Sequence, residues 1–318
     1  MRIVIFILSM IILTAGCVVN KDLYKEASVN AMNAPTHEQA IKEYEANAKK
    51  TVQSHYFYDG RGDIHFHYGY FGRAVNDYTR ALKTMWNAQY NLKRGRAYLK
   101  LHFYNDAKID FTTVIESKGY KFPVAYVERA KAYAAEGDYS SAMKDMEKAR
   151  EKGGENAEFL EAMGELNFKM GRYDEAKLYV QKAIIANSEN PALYLLRAKI
   201  FYKQKNANQA IADLKTALKM ERDYVEAKRM LAWIYATNPL AIYRDGAEAL
   251  RMAKELYSLD KEVQYVEVIA AAYAELDEFD KAIEILEEGI RLTSDLVQKE
   301  DFRFDIKNYK TNKKIRMW

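Results

Sequence analysis

The chain carries a single cysteine, Cys17, in 318 residues. Without a second thiol it closes no intrachain disulfide, and without a Cys/His cluster it builds no metal site. Among five histidines, His65 and His67 lie two apart in a stretch of helical spacing. That spacing aims them at different faces, so they make a poor ligand pair. Glycine-rich phosphate loops, a G-x-S-x-G turn and an H-E-x-x-H helix are all absent from the sequence. These residues support no catalytic, cofactor-binding or metal-ligating constellation, and the chain reads as a non-enzyme. What Cys17 does depends on what precedes it. Met1-Arg2 supplies one positive charge, Ile3–Leu13 is apolar, and Thr14-Ala15-Gly16 are small. That is the order of an export signal: charged start, apolar run, cut site. At ~1.5 Å per residue the apolar run covers about half of a ~30 Å hydrocarbon core, too short to cross it comfortably.

Small residues ending in Gly16-Cys17 resemble the lipobox of bacterial lipoproteins. The resemblance implies that residues 1–16 are a signal peptide, that Cys17 becomes the first residue and is acylated, and that residues 17–20 are a short linker. Two or three acyl chains, at ~0.8 kcal/mol per buried CH₂, hold a chain on a membrane stably. Val18 stands where inner-membrane lipoproteins of some diderm bacteria carry aspartate, which implies the periplasmic face of an outer membrane. The same residues also admit an ordinary cleaved signal or an uncleaved short anchor.

Beyond Cys17 there are only four prolines, 25 tyrosines and abundant Ala, Lys and Glu, a composition that favours helix throughout. The net charge of +4, from 49 basic and 45 acidic residues, gives no concentrated basic surface of the kind nucleic acid requires. A lack of further thiols suits an oxidising envelope.

The elements that position everything else are written in a repeat. EQAIKEY (38–44), GRAVNDY (72–78), NDAKIDF (105–111), SSAMKDM (140–146), DEAKLYV (174–180), NQAIADL (208–214), AEALRMA (247–253) and DKAIEIL (280–286) align on one alanine. Those alanines recur at intervals of 34, 33, 35, 34, 34, 39 and 33. About twelve residues before most of them sits a second small residue: Ser28, Gly62, Gly95, Ala130, Gly164, Ala198 or Ala270. The pattern resembles the tetratricopeptide repeat, a 34-residue helix–turn–helix, over residues 21–296. The resemblance implies an all-α chain: a right-handed α-solenoid of about eight hairpins whose neighbours share one continuous core. Residues 297–318 then form a capping helix, with Phe302, Ile306 and Tyr309 on one face, followed by a basic tail.

Arginine occupies the seventh position of four repeats: Arg61, Arg94, Arg129 and Arg197. Sixteen residues after each stands an aspartate: Asp77, Asp110, Asp145 and Asp213. A hairpin turning midway brings these positions level on adjacent helices. They read as structural ion pairs rather than as a ligand-binding series.

In the family, the first helix of each repeat lines a concave binding surface. Transferred to this chain, that implies a partner-binding groove of Phe66, Arg96, Leu99, Lys100, Lys131, Phe168, Lys169, Lys199, Tyr202, Lys203 and Trp233. A basic stripe beside an apolar one suits a peptide with acidic residues around apolar anchors. Leu92 and Arg96 stand where chaperone-binding members carry Lys and Asn, so their carboxylate clamp is not expected. The 39-residue interval adds about five residues within 236–250, either a longer turn or a docking loop. The basic tail reads as a solvated helix end. The resulting expectation is a lipid-anchored adaptor that gathers protein partners in a bacterial envelope, similar in plan to repeat lipoproteins that assist pilus secretin assembly. The alternatives are a peptidoglycan- or polysaccharide-associated module and a self-assembling scaffold, that is, a homo-oligomer.

Overall fold

The computed structural model describes residues 22–48, 54–117 and 122–318. Cys17 and the expected export signal lie outside the described residues. Within them every regular element is helical. The first compact unit, ending at Glu155, contains α1 (22–31), α2 (His37–Ala48), α3 (His55–His67), α4 (Phe71–Thr84), α5 (Ala88–Lys100), α6 (Tyr104–Glu116), α7 (Pro123–Ala135) and α8 (Tyr139–Glu151). The second, Asn156–Trp318, contains α9 (Ala157–Lys169), α10 (Tyr173–Ala186), α11 (Pro191–Lys203), α12 (Ala207–Met220), α13 (Val225–Thr237), α14 (Gly246–Leu259), α15 (Val263–Glu275), α16 (Phe279–Leu292) and α17 (Leu296–Tyr309). From α2 onward, each helix within a unit packs on the next, and α5 also meets α7 as α13 meets α15. This is an all-α solenoid of stacked helix hairpins.

Local chemistry sets the helix ends. Asn87, Asp138, Asn156, Asn190, Asn206 and Asp245 are N-caps whose side chains accept from backbone N–H groups in the first turn. The first helices end on a shared device. Backbone N–H groups of Tyr70, Phe103, Asp138, Arg172, Asn206 and Glu278 reach back five residues to a carbonyl at 2.8–3.0 Å. This closure puts the preceding residue in the left-handed region, with φ between 61° and 83° at Gly69, His102, Gly137, Gly171, Lys205 and Asp277. Glycine fills three of these places without penalty; the other three hold the same conformation with a side chain.

Helix α13 lacks that closure. Its chain runs through Asn238 and Pro239 into a short 3₁₀ turn, Ala241–Tyr243, before α14.

Hairpins close by size complementarity at two positions sixteen apart. Glycine faces a large side chain: a Cβ built on Gly62 would stand 2.7 Å from the Tyr78 ring, and one on Gly95 would stand 2.5 Å from the Phe111 ring. Alanine faces longer flexible chains, as with Ala130 and Met146, or Ala198 and Leu214, all buried. Full burial of Phe111 contributes roughly 2–3 kcal/mol. At the end of the second unit, Phe302, Ile306 and Tyr309 of α17 bury against Val266, Ala270 and Leu286, covering apolar surface the stack would otherwise expose.

Candidate functional site

The arginine–aspartate series lies inside the hairpins. Each guanidinium donates from Nε and Nη2 to the two carboxylate oxygens at 2.7–2.9 Å, in Arg61–Asp77, Arg94–Asp110, Arg129–Asp145 and Arg197–Asp213. In three pairs Nη1 also reaches the preceding hairpin, at Glu45, Thr79 or Thr112, at 2.8–3.0 Å. The arginine therefore ties its own hairpin shut and staples it to the one before. Hydrogen bonding to the paired aspartate is the largest influence on each of these guanidinium groups and holds it above its ordinary pKa.

On the first-helix face of the first unit, the basic stripe is partly tied up. Arg96 Nε donates to Oε1 of the buried Glu128 at 2.6 Å, and Lys131 lies 3.5 Å from Glu128 Oε2. Phe66 is half-buried edge-on to Phe71, and Leu99 packs beside the Phe111 cluster. Lys100 is exposed.

Beside them lies a feature the repeat pattern did not flag. Lys93 sits between Asp59 and Asp63 at 2.6 and 2.7 Å, and Tyr78 Oη donates to Asp63 at 2.8 Å. Together with Tyr24, Tyr56 and Tyr90, the three charged groups line a cavity of about 540 Å³. Burial pushes Asp59 up to about 6, with Asp63 adding to the effect and Lys93 opposing it.

The histidines form a small polar core. His37 Nε2 and His65 Nδ1 share a hydrogen bond of 2.8 Å, and His65 Nε2 lies 3.5 Å from Asp77. Burial lowers His65 to about 4, so it is neutral at physiological pH. Among the described residues no group of His, Cys, Asp and Glu is arranged to hold a metal ion.

The first-helix face of the second unit carries half-buried Phe168 near Tyr173, with exposed Lys169 and Lys203 at the last positions of α9 and α11. Lys199 is half-buried, and burial lowers its pKa against the opposing pull of Glu165 and Glu226. Tyr202 and Trp233 belong to the core cluster rather than to an open stripe.

Tyr202 is covered by the tail, and here the reading of a solvated helix end is corrected. Helix α17 stops at Tyr309; Asn312 turns the chain at φ 53°, and Lys313 N–H closes onto the Asn308 carbonyl. The following residues return across the unit. Tyr202 Oη donates to the Met317 carbonyl at 2.9 Å, Met317 N–H donates to the Thr237 carbonyl at 3.0 Å, and Trp318 packs near Tyr202. Lys314 donates to the Glu275 carbonyl and pairs with Asp277, while Arg316 pairs with Glu275 at 2.7 Å. The inserted residues belong to the same constellation: Arg244 pairs with Glu275 and donates to the carbonyls of Asn238 and Pro239. Ile242, at the tip of the insertion, is 84% exposed.

Models of the tetratricopeptide repeat match residues 92–157 and 195–241, residues 133–200, and residues 264–296. The chain is similar to DnaJ homolog subfamily C member 3 of Homo sapiens, 24% identical over 282 residues, which are 87% of this chain and 50% of that protein. It thus spans half the length of that relative. Among solved structures, it superposes on the APC/C hetero-tetramer Cut9-Hcn1 with TM-score 0.65 at 15% identity, over 85% of this chain and 51% of that one. A tetratricopeptide repeat protein from Parabacteroides merdae gives TM-score 0.59 at 19% identity, over 80% of this chain and 98% of that one. At these identities the two structures establish the fold alone.

Proposed function

Because the chain belongs to the tetratricopeptide repeat family, whose stacked hairpins mediate protein–protein interactions, we propose that it is a membrane-anchored adaptor that gathers protein partners in a bacterial cell envelope. The observation that carries the adaptor half is the division of labour among the cations. The four repeat arginines are held in ion pairs within the hairpins, as their spacing implied, and Arg96 and Lys131 hold Glu128. Exposed Lys100 in the first unit stands beside half-buried Leu99, and exposed Lys169 in the second beside half-buried Phe168; exposed Lys203 follows the buried Tyr202, and each lysine is the last residue of its helix. On each unit taken by itself, a peptide with acidic residues around an apolar anchor matches the lysine-and-apolar face. The anchoring half rests on Cys17 behind its apolar run and Gly16.

Two experiments test the two halves separately. Cysteine-to-serine substitution at Cys17 should abolish incorporation of labelled palmitate and move the protein from the membrane to the soluble fraction; unchanged labelling rejects the anchor. Crosslinking and affinity capture in the host should recover an envelope protein with the native chain and lose it with Lys100→Glu/Lys169→Glu/Lys203→Glu. Arg96 and Lys131 stay intact in that variant, since reversing them would strand a buried carboxylate. Equal capture by both chains rejects these lysine faces as binding sites.

A further inference from the structure

We propose that the segment following α17, residues 313–318, is an internal ligand: it fills a peptide slot across the C-terminal ends of α11, α13 and α15, and a partner segment of the same basic-and-aromatic chemistry must displace it to bind there. The inference rests on the adaptor reading and adds a second binding surface, of opposite charge preference, to it.

The slot follows from where the repeat is broken. After α3, α5, α7, α9, α11 and α15 the left-handed turn folds backbone N–H groups onto the last-turn carbonyls. The insertion after Thr237 replaces that turn: Asp245 N–H closes onto the Tyr235 carbonyl from farther along the chain, and the carbonyl of Thr237, the last residue of α13, accepts from Met317 N–H. An unsatisfied carbonyl at a helix end requires a donor, and the end of a helix favours positive charge. Both demands are met by the returning segment. Lys314 donates to the carbonyl of Glu275, the last residue of α15, and Arg316 lies against the Glu275 side chain. Arg244, from the insertion, holds the other oxygen of that carboxylate and so fixes its position.

Apolar contacts supply the rest. Ile315 packs against the cluster of Val266 and Phe302, and Trp318 packs against that of Tyr202. The contacts are sequence-specific in type: two cations two residues apart, then an aromatic, on a backbone that both donates and accepts. Yet the segment is only partly covered, with Met317 48% exposed and Lys313 exposed. It lies on the surface of the stack and leaves the core of the hairpins intact beneath it.

A tethered segment competes at an effective concentration on the order of millimolar. If the free segment binds in the ten-micromolar range, occupancy in cis weakens any competitor by about 100-fold. The test uses a fluorescent synthetic peptide of residues 310–318 (KTNKKIRMW) and three forms of the protein: intact, ending at Tyr309, and full-length with Arg316→Glu/Trp318→Ala. Circular dichroism and thermal melts establish that each form is folded. The expected result is peptide binding by both altered forms and binding about 100-fold weaker by the intact chain. Tyr202→Phe in the altered forms should weaken the peptide a further ~5-fold, the loss of one hydrogen bond. Equal binding by all three forms overturns the internal ligand, because the slot would then be open in the resting protein. Absence of binding to a folded full-length variant overturns the slot as a separable site. A dimeric intact chain that becomes monomeric on truncation assigns the segment to a neighbouring copy and overturns occupancy in cis. None of these outcomes depends on membrane anchoring or on capture in the host, so the adaptor reading stands or falls separately.

Discussion

Removing one carboxylate tests whether the arginine series is architecture or binding site. Asp110 is 2% exposed in its side chain and accepts from Arg94 Nε, Arg94 Nη2 and Asn91 Nδ2 at 2.7–2.9 Å. Breaking a buried ion pair by deleting one partner costs about 3–5 kcal/mol. The Arg94 side chain keeps 21% of its exposure, so water partly rescues it, and Asp110→Ala falls near the low end, at about 3 kcal/mol. Arg94→Ala costs somewhat more, about 4 kcal/mol, because it strands a carboxylate that water does not reach and also frees Thr79. The double change Asp110→Ala/Arg94→Ala costs less than the sum of the two single changes, by a coupling of about 2 kcal/mol or more. Lys148→Ala supplies the contrast: its pair with Glu151 is 55% and 62% exposed, and its loss should leave the unfolding midpoint unchanged. Urea unfolding followed by far-UV circular dichroism measures the cycle. Amide hydrogen exchange in α5 and α6 localises it, since stacked repeats need not unfold as one body. A cost below about 1 kcal/mol for Asp110→Ala, with additive single changes, would refute the reasoning and restore Arg94 as a candidate ligand-binding group.

The remaining predictions follow from the same geometry. Gly95→Ala places a Cβ 2.5 Å from the Phe111 ring and should destabilise by about 1–3 kcal/mol. Gly72→Ala meets nothing within 4 Å and should stabilise by about 0.5 kcal/mol; urea melts of both variants check the contrast. Lys205→Gly relieves a left-handed residue at φ 61°, and the melting midpoint should rise by an equivalent of about 0.5–1 kcal/mol. Asp305 is raised to about 6 by burial, with Glu267 and Asp301 adding to it. The folded state therefore holds this proton up to about pH 6 while the unfolded chain releases it near 4, so stability is lost as pH rises through 6. Asp305→Asn removes that burden. After discounting for its half-exposed position, the gain is about 1 kcal/mol, or about 3 °C in melting temperature at pH 7.5. The gain should shrink to about a third at pH 4.5 and vanish near pH 3, below the unfolded pKa, and a pH-independent difference would show that Asp305 is not the group responsible.

The hairpins were legible because their requirement is local and recurs. Gly95 must be small wherever Phe111 is large, sixteen residues on, and the chain states that rule again at Gly62 and Tyr78. Repetition turns weak signals into a register. The same spacing aligned Arg94 with Asp110, but nothing in the spacing revealed the third contact to Thr79, which joins two hairpins. Lys93 with Asp59 and Asp63 was invisible for a related reason. Those partners are 34 and 30 residues away and occur in a single repeat, so no recurrence marks them. Arg96 and Lys131 looked like a free stripe because Glu128, 32 residues from Arg96, carries no pattern that marks it as their shared partner.

The least legible contact is also the least repeated. Tyr202 and Met317 are 115 residues apart, and neither residue is unusual where it stands. Their meeting depends on two departures from the repeat: eight residues, 238–245, in place of a tight turn, and a chain that continues past its capping helix. Each departure alone leaves groups unpaired, the Thr237 carbonyl in one case and the cations of the returning segment in the other. Glu275 joins them, accepting from Arg244 of the insertion through one oxygen and from Arg316 of the returning segment through the other. A stack of near-identical hairpins offers near-identical surfaces, which favours stability and gives little discrimination among partners. Specificity must then come from the places where the repeat is interrupted. In this chain the interruption at 238–245 and the segment at 313–318 meet on one carboxylate. A change in either is therefore a change in what the second unit presents to a partner.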